Sequence, residues 1–349
     1  MRRLLIILIF IFFIIPQAYC GKDNEESPFG VLEFLHWNHP WNNYKYAILT
    51  DLKKTVSLMK EAGVDWVRFD FLWSDIESEQ GNFNFEKYDT IVNELNENNI
   101  NILGILHYST DWASICGRWN CPPKDNAIFI NYVRETVRHF KDKVKYWEIW
   151  NEPDSGIYWD YQYQDGLKTY AKLLKEVYLA IKEIDPEAKV LNGGLSNLSS
   201  IERLYENGLK PYFDILNIHI FESPLNPGSD KRLFSSVKLA YKIMRRNGDA
   251  EKRIWITETG CPGTNNKKIK GWWMGKNPNE KQQAEWLKIV FKELLKHPAV
   301  DKVFWAFFRD CNQHFKDGVD YFGLIRWDFS RKPSFFAYRQ IKKKLQPTH

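Results

Sequence analysis

The sequence predicts one α/β domain, a (β/α)8 or TIM barrel, preceded by an N-terminal export signal. Eight short strand-like runs occur along the 349 residues, and helix-like segments with periodic apolar residues alternate with them. No low-complexity linker or internal repeat interrupts this alternation. Eight strand and helix pairs are the number that closes such a barrel. An open, doubly wound sheet is the competing architecture.

The predicted strands are apolar runs that end where polar or turn-forming residues begin. They span Phe29 to Phe34, Trp66 to Phe71, Ile102 to His107, Val144 to Asn151, Lys189 to Asn192, Phe213 to His219, Arg253 to Glu258 and Lys302 to Phe307. The bulky segment LHWNHPW at 35–41 follows the first strand, where a doubly wound nucleotide-binding sheet needs a glycine-rich turn. This segment favours the barrel.

The predicted helices show apolar residues three or four positions apart. The first of them begins behind Thr50 and Asp51, which are typical of a helix start. The apolar positions are Leu52, Val56 and Met59; Tyr88, Ile91, Val92 and Leu95; Val133, Val137 and Phe140; Leu167, Tyr170, Leu174, Val177 and Ile181; Val237, Ala240 and Met244; Leu287, Phe291 and Leu294; and Phe336 and Ile341.

Residues 1–20 are predicted to be an export signal. Two arginines precede an apolar run from Leu4 to Ile15, and a small-residue cleavage pattern ends at Cys20. The run would span about 18 Å as a helix, against roughly 30 Å of bilayer hydrocarbon, so no stable membrane span is expected. We therefore predict a secreted or cell-envelope protein whose barrel occupies residues 28–346. Lipid modification of Cys20, or an uncleaved membrane tether, is the alternative.

Composition excludes several classes of protein. Hydrophobic residues make up 44% of the chain and charged residues 27%, which excludes disordered and fibrous proteins. The 49 basic and 44 acidic residues are spread through the chain, so no nucleic-acid partner is implied.

Without Cys20, four cysteines remain, an even number in a chain predicted to enter an oxidising compartment. Cys261 and Cys311 follow the seventh and eighth strands at the same rim, so we expect a disulfide between them. Cys116 and Cys121 would then pair within one loop, with free thiols as the alternative. The cysteines lack the clustering of a zinc site, and no metal is predicted.

Two glutamates end predicted strands at the rim where barrels of this kind carry their chemistry. Pro153 breaks the fourth strand after Glu152 and is expected to hold Glu152 in extended geometry. Glu258 ends the seventh strand before a glycine and a proline. Glu148 shares the face of Glu152 but lies deeper, so we expect it to support the site.

Barrel geometry gives the separation of the two carboxyl groups. Strands about 4.8 Å apart and tilted by about 36° place the fourth and seventh strands roughly 14 Å apart across the mouth. Side chains that reach inward would leave roughly 6 Å between the carboxyl groups, near the spacing of retaining and inverting glycosidases. Paired-carboxylate cleavage of glycosidic bonds is therefore predicted, and structural ion pairing of both glutamates is the alternative.

These residues resemble the retaining glycoside hydrolases of clan A, over the whole predicted mature chain. An Asn-Glu-Pro motif on strand four and a glutamate on strand seven carry that chemistry, which implies that Glu152 is the acid/base and Glu258 the nucleophile. Matches by strand and residue type occur at Arg68, His107, Asn151, Glu152, His219, Glu258 and Trp305. The motifs WVRFDF at 66–71 and GNFNF at 81–85 look like family 39, with the cellulase-like family 5 next.

The resemblance implies substrate-binding roles for Arg68, His107, Asn151, His219 and Trp305. Arg68 would favour the charged form of the nucleophile, and the Asn151 amide would donate to the sugar 2-hydroxyl. The face of Trp305 would form the floor beneath the reacting sugar. Buried salt bridges and ordinary core packing are the alternatives for these residues.

One residue departs from the clan pattern. Phe221 stands two residues beyond the strand-six histidine, where the clan often has a tyrosine that hydrogen bonds the nucleophile. Another rim tyrosine, such as Tyr108, would have to take that role.

Aromatic loop residues complete the prediction of a polysaccharide cleft, because neutral sugars bind to aromatic faces. The residues are Trp112, Trp119, Trp159, Trp272 and Trp273, and the last two are expected on an exposed, mobile flap. The predicted function is a retaining β-glycosidase that hydrolyses an oligo- or polysaccharide without a metal or organic cofactor. A non-catalytic carbohydrate-binding barrel and a transglycosylase are the alternatives.

Overall fold

The computed structural model describes residues 27–36, 49–160, 162, 166–311 and 313–346. Its eight strands pair in parallel and in chain order, and the first pairs with the last, so they form a closed barrel. The predicted (β/α)8 fold is confirmed. The export signal predicted at 1–20 lies outside the described residues. Within the described ranges, no helix has the length and apolarity needed to cross a membrane.

The strands lie where the sequence predicts them, with ends that differ by at most two residues. The eighth strand shows this difference. It is predicted from Lys302 to Phe307, and it runs from Val300 to Ala306. The strands are β1 (Phe29–Leu32), β2 (Trp66–Leu72), β3 (Asn101–His107), β4 (Tyr146–Asn151), β5 (Lys189–Gly194), β6 (Ile215–His219), β7 (Arg253–Thr259) and β8 (Val300–Ala306).

Every predicted helical segment forms a helix. The helices are α1 (Leu49–Ala62), α2 (Trp73–Ile76), α3 (Glu86–Glu97), α4 (Asn126–Phe140), α5 (Gly166–Ile184), α6 (Ser199–Glu206), α7 (Ser229–Arg246), α8 (Glu280–Leu294) and α9 (Pro333–Leu345). Local signals explain several starts. Asn279 and Gln282 form a capping box at α8, and Pro333 opens α9. The sequence pattern missed α6, whose eight residues are too few to show a helical period.

Aromatic side chains fill the barrel interior toward the N-terminal ends of the strands. Trp66 and Trp255 meet edge to face with ring centroids 5.1 Å apart, and Phe304 packs on Trp255 at 5.9 Å. This cluster is buried. Because the lower interior is filled, the polar side chains of the barrel are concentrated at the opposite rim, where the predicted site lies.

One of the two cysteine predictions is confirmed and the other is wrong. Cys116 and Cys121 form the predicted local disulfide. The predicted bridge between Cys261 and Cys311 is wrong, since no disulfide joins them. The reason is a turn at Gly318–Tyr321 to which both loops hydrogen bond. The Cys311 nitrogen donates to the Asp320 carbonyl, and the loop that carries Cys261 bonds to the Tyr321 carbonyl.

Candidate active site

The two predicted catalytic glutamates meet at the C-terminal rim. Glu152 directly follows β4, and Glu258 lies near the end of β7. One carboxylate oxygen of each lies within 4.8 Å of the other. Their side chains are 15% and 17% exposed, so both are accessible yet largely withdrawn from water. This arrangement can place two carboxyl groups on one glycosidic bond.

The backbone at Glu152 differs from the prediction. Its φ is +41°, and that of Trp150 is +69°, so Glu152 is left-handed and not extended. A tight turn after Pro153 explains the difference, since the Ser155 nitrogen donates to the Glu152 carbonyl at 2.9 Å. Such a conformation costs a non-glycine residue about 1–3 kcal/mol and is frequent at functional sites.

Arg68 on β2 organises the carboxylates from below. Its guanidinium donates to both oxygens of Glu148, at 2.7 and 2.8 Å, and to Glu258 Oε1 at 2.6 Å. It also donates to Asn151 Oδ1 at 2.9 Å. Arg68 is buried, so its charge is poorly screened and compensates these carboxylates strongly. Glu148 therefore has the supporting position that its depth predicts, and it holds the guanidinium that contacts Glu258.

His219 on β6 connects the acid/base candidate to a buried polar network. Its Nδ1 lies 2.8 Å from Glu152 Oε1 and 3.8 Å from Glu258 Oε2, and its Nε2 lies 3.1 Å from Thr257 Oγ1. The Thr257 hydroxyl donates to Asn217 Oδ1 at 2.7 Å. Because that proton is committed to Asn217, the threonine oxygen accepts from His219 Nε2–H. The network therefore fixes a proton on Nε2 and directs Nδ1 at Glu152.

Opposing influences act on the Glu152 and His219 protons. Burial raises the pKa of Glu152, contacts with His219 lower it, and the nearby Glu258 raises it, with a net increase. Burial lowers the pKa of His219, but Glu258 and Glu152 outweigh it and raise it overall. Glu152 is thus suited to keep a proton at a higher pH than an ordinary glutamate, as a general acid requires.

A small pocket beside Glu258 contains four of the predicted residues. Its lining residues are Leu32, Phe34, Arg68, Asp70, Ile105, His107, Tyr108, Asn151, Tyr158, Glu258, Phe307 and Phe315. His107 is buried, with Nε2 3.0 Å from Asp70 Oδ1. Burial would raise the pKa of Asp70, but His107, His36 and Arg68 lower it. Asp70 is therefore an ionised acceptor.

Sequence reasoning missed several lining residues. Asp70 has a signal, since it shares the inward face of β2 with Arg68 by the two-residue period of a strand. Asp70 Oδ2 and His107 Nδ1 are buried and have no hydrogen-bond partner among the described residues. Tyr158, Phe307 and Phe315 lie on loops, and no sequence period predicts their direction.

Trp305 does not occupy the predicted position beneath a sugar. It has no exposed surface, and its Nε1 donates to the Phe322 carbonyl at 2.9 Å. A ring without exposed surface offers no face to a ligand, so this expectation is corrected. Phe307, two residues further along the chain, lines the pocket instead.

Phe221 lies on the loop after β6, and Tyr108 lies directly after β3. Phe221 packs edge to face on Trp273, with centroids 5.3 Å apart. Tyr108 lines the pocket, stacks on His107 at 3.8 Å and hydrogen bonds the side chain of Asn151. Tyr108 thus lines the same pocket as the nucleophile, and a hydrogen bond from Tyr108 to Glu258 stays a prediction.

The predicted aromatic loop residues differ in how exposed their side chains are. Trp159 and Trp272 are buried, at 1% and 3% exposed, and Trp112 is half-buried against Trp73. Trp119 is 38% exposed and Trp273 57%. The expected exposed flap is therefore corrected, since Trp272 is an anchor and Trp273 alone of the pair faces outward.

Glu152, His219 and Glu258 each offer a potential metal ligand, with the three ligand atoms within 4.8 Å of one another. Glu258 already pairs with the Arg68 guanidinium at 2.6 Å, so a cationic partner is built into the site. The arrangement suits proton transfer and nucleophilic attack without a further cation.

Comparison with known proteins identifies relatives among carbohydrate-active enzymes. The sequence model described as "Glycosyl hydrolase family 53" matches residues 42–268, more than half of the chain. The chain is 23% identical over 283 residues to Endo-1,4-beta-xylanase B of Thermotoga neapolitana, covering 77% of each sequence.

Solved structures share the barrel fold. A family 39 glycoside hydrolase from Bacteroides cellulosilyticus aligns with a TM-score of 0.71 and 21% identity, covering 92% of this chain and 64% of that chain. Xylanase 10B from Thermotoga petrophila, solved with xylobiose, aligns with a TM-score of 0.62 and 21% identity, covering 91% and 94%. The predicted likeness to family 39 agrees with the first structure, and a likeness to family 5 stays a prediction.

Proposed function

The chain belongs to glycosyl hydrolase family 53, and from this premise we propose that it cleaves β-glycosidic bonds of a neutral oligo- or polysaccharide with net retention of anomeric configuration. It is a clan A glycoside hydrolase. The carboxylate oxygens of Glu152 and Glu258, within 4.8 Å of each other, carry the proposal. Retaining glycosidases hold their two carboxyl groups about 5–5.5 Å apart, whereas inverting enzymes leave more room for a water molecule.

In the first step, a Glu258 oxygen attacks the anomeric carbon and the bond to the leaving-group oxygen breaks. Glu152 gives its proton to that oxygen, so the leaving sugar departs as an alcohol. Arg68 supports this step, because its buried guanidinium contacts Glu258 Oε1 at 2.6 Å and orients that carboxylate. The product is a covalent glycosyl-enzyme.

In the second step, the ionised Glu152 takes a proton from a water molecule, whose oxygen attacks the anomeric carbon and releases Glu258. Two inversions give net retention. His219 contacts Glu152 at 2.8 Å and stabilises its charged form between the two steps, because its positive charge lowers the Glu152 pKa.

The charge of the pocket supports a neutral sugar. Three carboxylates, those of Glu148, Glu258 and Asp70, lie around the Arg68 guanidinium, so negative charge exceeds positive charge at the site even with His219 protonated. An additional carboxylate on the substrate would be repelled. The relatives named as xylanases act on a neutral polysaccharide by their names, so xylan belongs in the first substrate panel.

Truncating each glutamate tests the proposal, because the two variants should fail differently. Glu258→Ala lacks the nucleophile, so activity should fall by several orders of magnitude even on aryl glycosides with good leaving groups. Glu152→Ala should still form the glycosyl-enzyme from such aryl glycosides, whose leaving group needs no proton. It should then stall, which stopped-flow absorbance would record as a burst of released phenol.

Azide distinguishes the two variants further. It needs no general base, so it should restore turnover of Glu152→Ala and give a β-glycosyl azide, and it should not restore Glu258→Ala by that route. NMR of the wild-type reaction should show the retained anomer first. An inverted first product, or equal losses in both variants without azide rescue, contradicts the assignment.

A transglycosylase would use the same two glutamates and differ in whether water or a sugar accepts the glycosyl group. Product analysis at high substrate concentration separates these two outcomes. The presence of both Glu152 and Glu258 argues against the non-catalytic binding barrel, because sugar binding alone does not need two carboxylates within 4.8 Å of each other.

We further propose export of the protein, on the basis of the signal pattern at 1–20. Expression in the native host followed by N-terminal sequencing should find a mature chain that begins at Gly21, or at a lipid-modified Cys20. A full-length chain retained in the cytoplasm contradicts export.

A further inference from the structure

Two exposed tryptophans lie on opposite sides of the barrel mouth. Trp119 belongs to the loop after β3 and Trp273 to the loop after β7, and these strands are four positions apart in the closed barrel. Their exposed fractions are 38% and 57%. Solvent-exposed tryptophans next to a pocket are typical of sites where sugars or other ligands bind, since indole is otherwise withdrawn from water.

Trp119 is continuous with the catalytic pocket. Its ring centroid lies 4.8 Å from that of Tyr108 and 6.2 Å from that of Tyr158. Both tyrosines line the pocket beside Glu258. A chain that leaves the pocket on this side meets the indole as the next aromatic surface.

Trp273 is connected to the pocket on the other side. Its ring lies 5.7 Å from Phe322, which in turn lies 6.3 Å from the pocket residue Phe307. It also packs on Phe221, two residues beyond His219. Packed aromatic rings therefore connect the pocket to both exposed tryptophans, through the buried Phe322 on this side.

The loop that carries Trp119 is held in place by covalent and polar contacts. The disulfide between Cys116 and Cys121 encloses Trp119. The Ser109 nitrogen donates to the Trp119 carbonyl at 2.9 Å. Next to it, Arg118 pairs with Asp160 of the following loop at 2.5 Å. A ring fixed in this way loses little conformational entropy when a ligand binds.

Trp273 is held by its neighbour. Trp272 is buried, and its Nε1 donates to the Lys276 carbonyl at 3.3 Å. The turn is closed by the Gly275 nitrogen, which donates to the Trp272 carbonyl at 2.9 Å. The buried indole thus anchors the turn that presents the exposed one.

We propose that Trp119 and Trp273 are two binding platforms for sugar units of a neutral β-glycan that extends in both directions from the catalytic pocket. Platforms on both sides require a substrate longer than the cleaved pair of units, so the enzyme cuts within a chain. The proposal rests on the function proposed above, because it takes the Glu152 and Glu258 pocket as the cleavage point. The occupant is uncharged because stacking on indole needs no ionic group and the carboxylates of the pocket repel anions.

The test compares a polymer with a short substrate. Trp119→Ala, Trp273→Ala and the double variant would be assayed on a soluble polysaccharide chosen from β-1,4-xylan, β-1,4-galactan and β-1,4-mannan, and on an aryl glycoside of the same sugar. For each single variant we expect the ratio of kcat/KM for the polymer to kcat/KM for the aryl glycoside to fall about tenfold, the size of one lost aromatic contact. The double variant should lose about the product of the two factors, because the residues are far apart.

Matched controls separate stacking from loss of structure. Trp119→Phe and Trp273→Phe keep an aromatic face and should recover most of the ratio. Phe336→Ala removes a ring that is 53% exposed on α9, outside the mouth, and should leave the ratio unchanged. Affinity electrophoresis of Glu258→Gln in gels that contain the same polysaccharide measures binding without turnover, and the platform variants should migrate faster in those gels.

The outcomes separate this proposal from the function it rests on. Absence of hydrolysis by the wild type on every substrate overturns the proposed function, whatever the platform variants do in the gels. Hydrolysis with an unchanged polymer-to-aryl ratio in both alanine variants overturns the platforms and leaves the glutamate assignment standing. Retardation that disappears at high salt would identify ionic binding of an acidic glycan by nearby lysines, and it also overturns the neutral platforms.

Discussion

At the scale of single residues, the contact between Glu152 and His219 controls the proton needed for catalysis. His219 stabilises the charged form of Glu152, since its contacts lower the Glu152 pKa, while burial and Glu258 raise it. His219→Gln removes that positive charge, so the Glu152 pKa should rise. The alkaline limb of kcat/KM against pH, which reports the acid in the free enzyme, should then move to higher pH as the maximum rate falls. A shift to lower pH contradicts a positively charged His219 at this contact.

Thr257 acts one step further from the substrate, as a positioning residue. Its oxygen accepts from His219 Nε2 while its hydroxyl donates to Asn217. Thr257→Val keeps the shape but leaves two buried polar groups without a partner, at a cost of about 1–3 kcal/mol in the free energy of unfolding. Since the orientation of the His219 ring is then no longer held by Thr257, we expect about a tenfold loss of kcat/KM and a displaced alkaline limb.

Thr257→Ser is the matched control, because it retains the hydroxyl and removes one methyl group. It should restore both the rate and the pH profile. If valine, which keeps the methyl group, retains full activity and serine loses activity, the methyl packing and not the hydrogen bond is what matters at this position.

The sequence predicts the individual site residues best where they lie on strands. Arg68, His107 and His219 are at strand positions whose inward direction follows from the two-residue period, and all three lie close to the glutamates. Asn151 is out of step with Glu148 in that period, and it still reaches Arg68 because the backbone at Trp150 is left-handed, with a φ of +69°. Trp305 follows Phe304, which lies in the barrel interior, so by the same period its side chain lies on the other face of the strand, where its Nε1 donates to the Phe322 carbonyl. The left-handed Glu152 was not predictable, because the turn that imposes it depends on Ser155 and His219.

At the scale of elements, the end of β5 is shaped to admit the His219 ring. A Cβ atom at Gly194 would lie 2.0 Å from His219 Nε2, and one at Gly193 would lie 2.8 Å from the carbonyls of Ile149 and Trp150. Gly194→Ala should therefore displace the imidazole from Glu152. We expect activity to fall by at least the factor that His219→Gln produces, together with a loss of unfolding free energy of about 1–3 kcal/mol from overpacking.

A double-mutant cycle isolates this clash. In a His219→Ala background the ring is absent, so adding Gly194→Ala should cost little further stability. Thermal unfolding of the four proteins gives the interaction free energy directly. An equal cost in both backgrounds would place the clash with another neighbour.

Elements were easier to predict than the loops between them. Strand and helix periods report burial against the neighbouring layer, so their positions follow from local sequence. Cys261 and Cys311 show the limit of that reasoning. Their strands are adjacent, as predicted, but the Gly318–Tyr321 turn that both loops contact has no periodic signal.

At the scale of the whole molecule, the barrel is closed by contacts between its ends. β1 pairs with β8, and α9 packs on α8 and α1. Lys332, immediately before α9, donates to Asp310 Oδ1 at 2.7 Å, the Tyr321 carbonyl at 2.9 Å and the Gly263 carbonyl at 3.1 Å. It therefore joins the loops after β7 and β8 to the last helix, and one buried charge holds the rim beneath Trp273.

Lys332→Met should destabilise the fold strongly, because it removes the ammonium group that lies 2.7 Å from the buried Asp310 carboxylate. Lys332 is 1% exposed, and breaking a buried ion pair of this kind costs about 3–5 kcal/mol, measurable by urea unfolding.

Lys343→Met, at an exposed position of the same helix, should change stability by less than about 0.5 kcal/mol. Adding Asp310→Leu to Lys332→Met should recover part of the loss, since the buried carboxylate is then gone as well. If the double variant is less stable by the full sum of both single losses, charge compensation is not what Lys332 contributes, and its bonds to the two loop carbonyls hold the rim together.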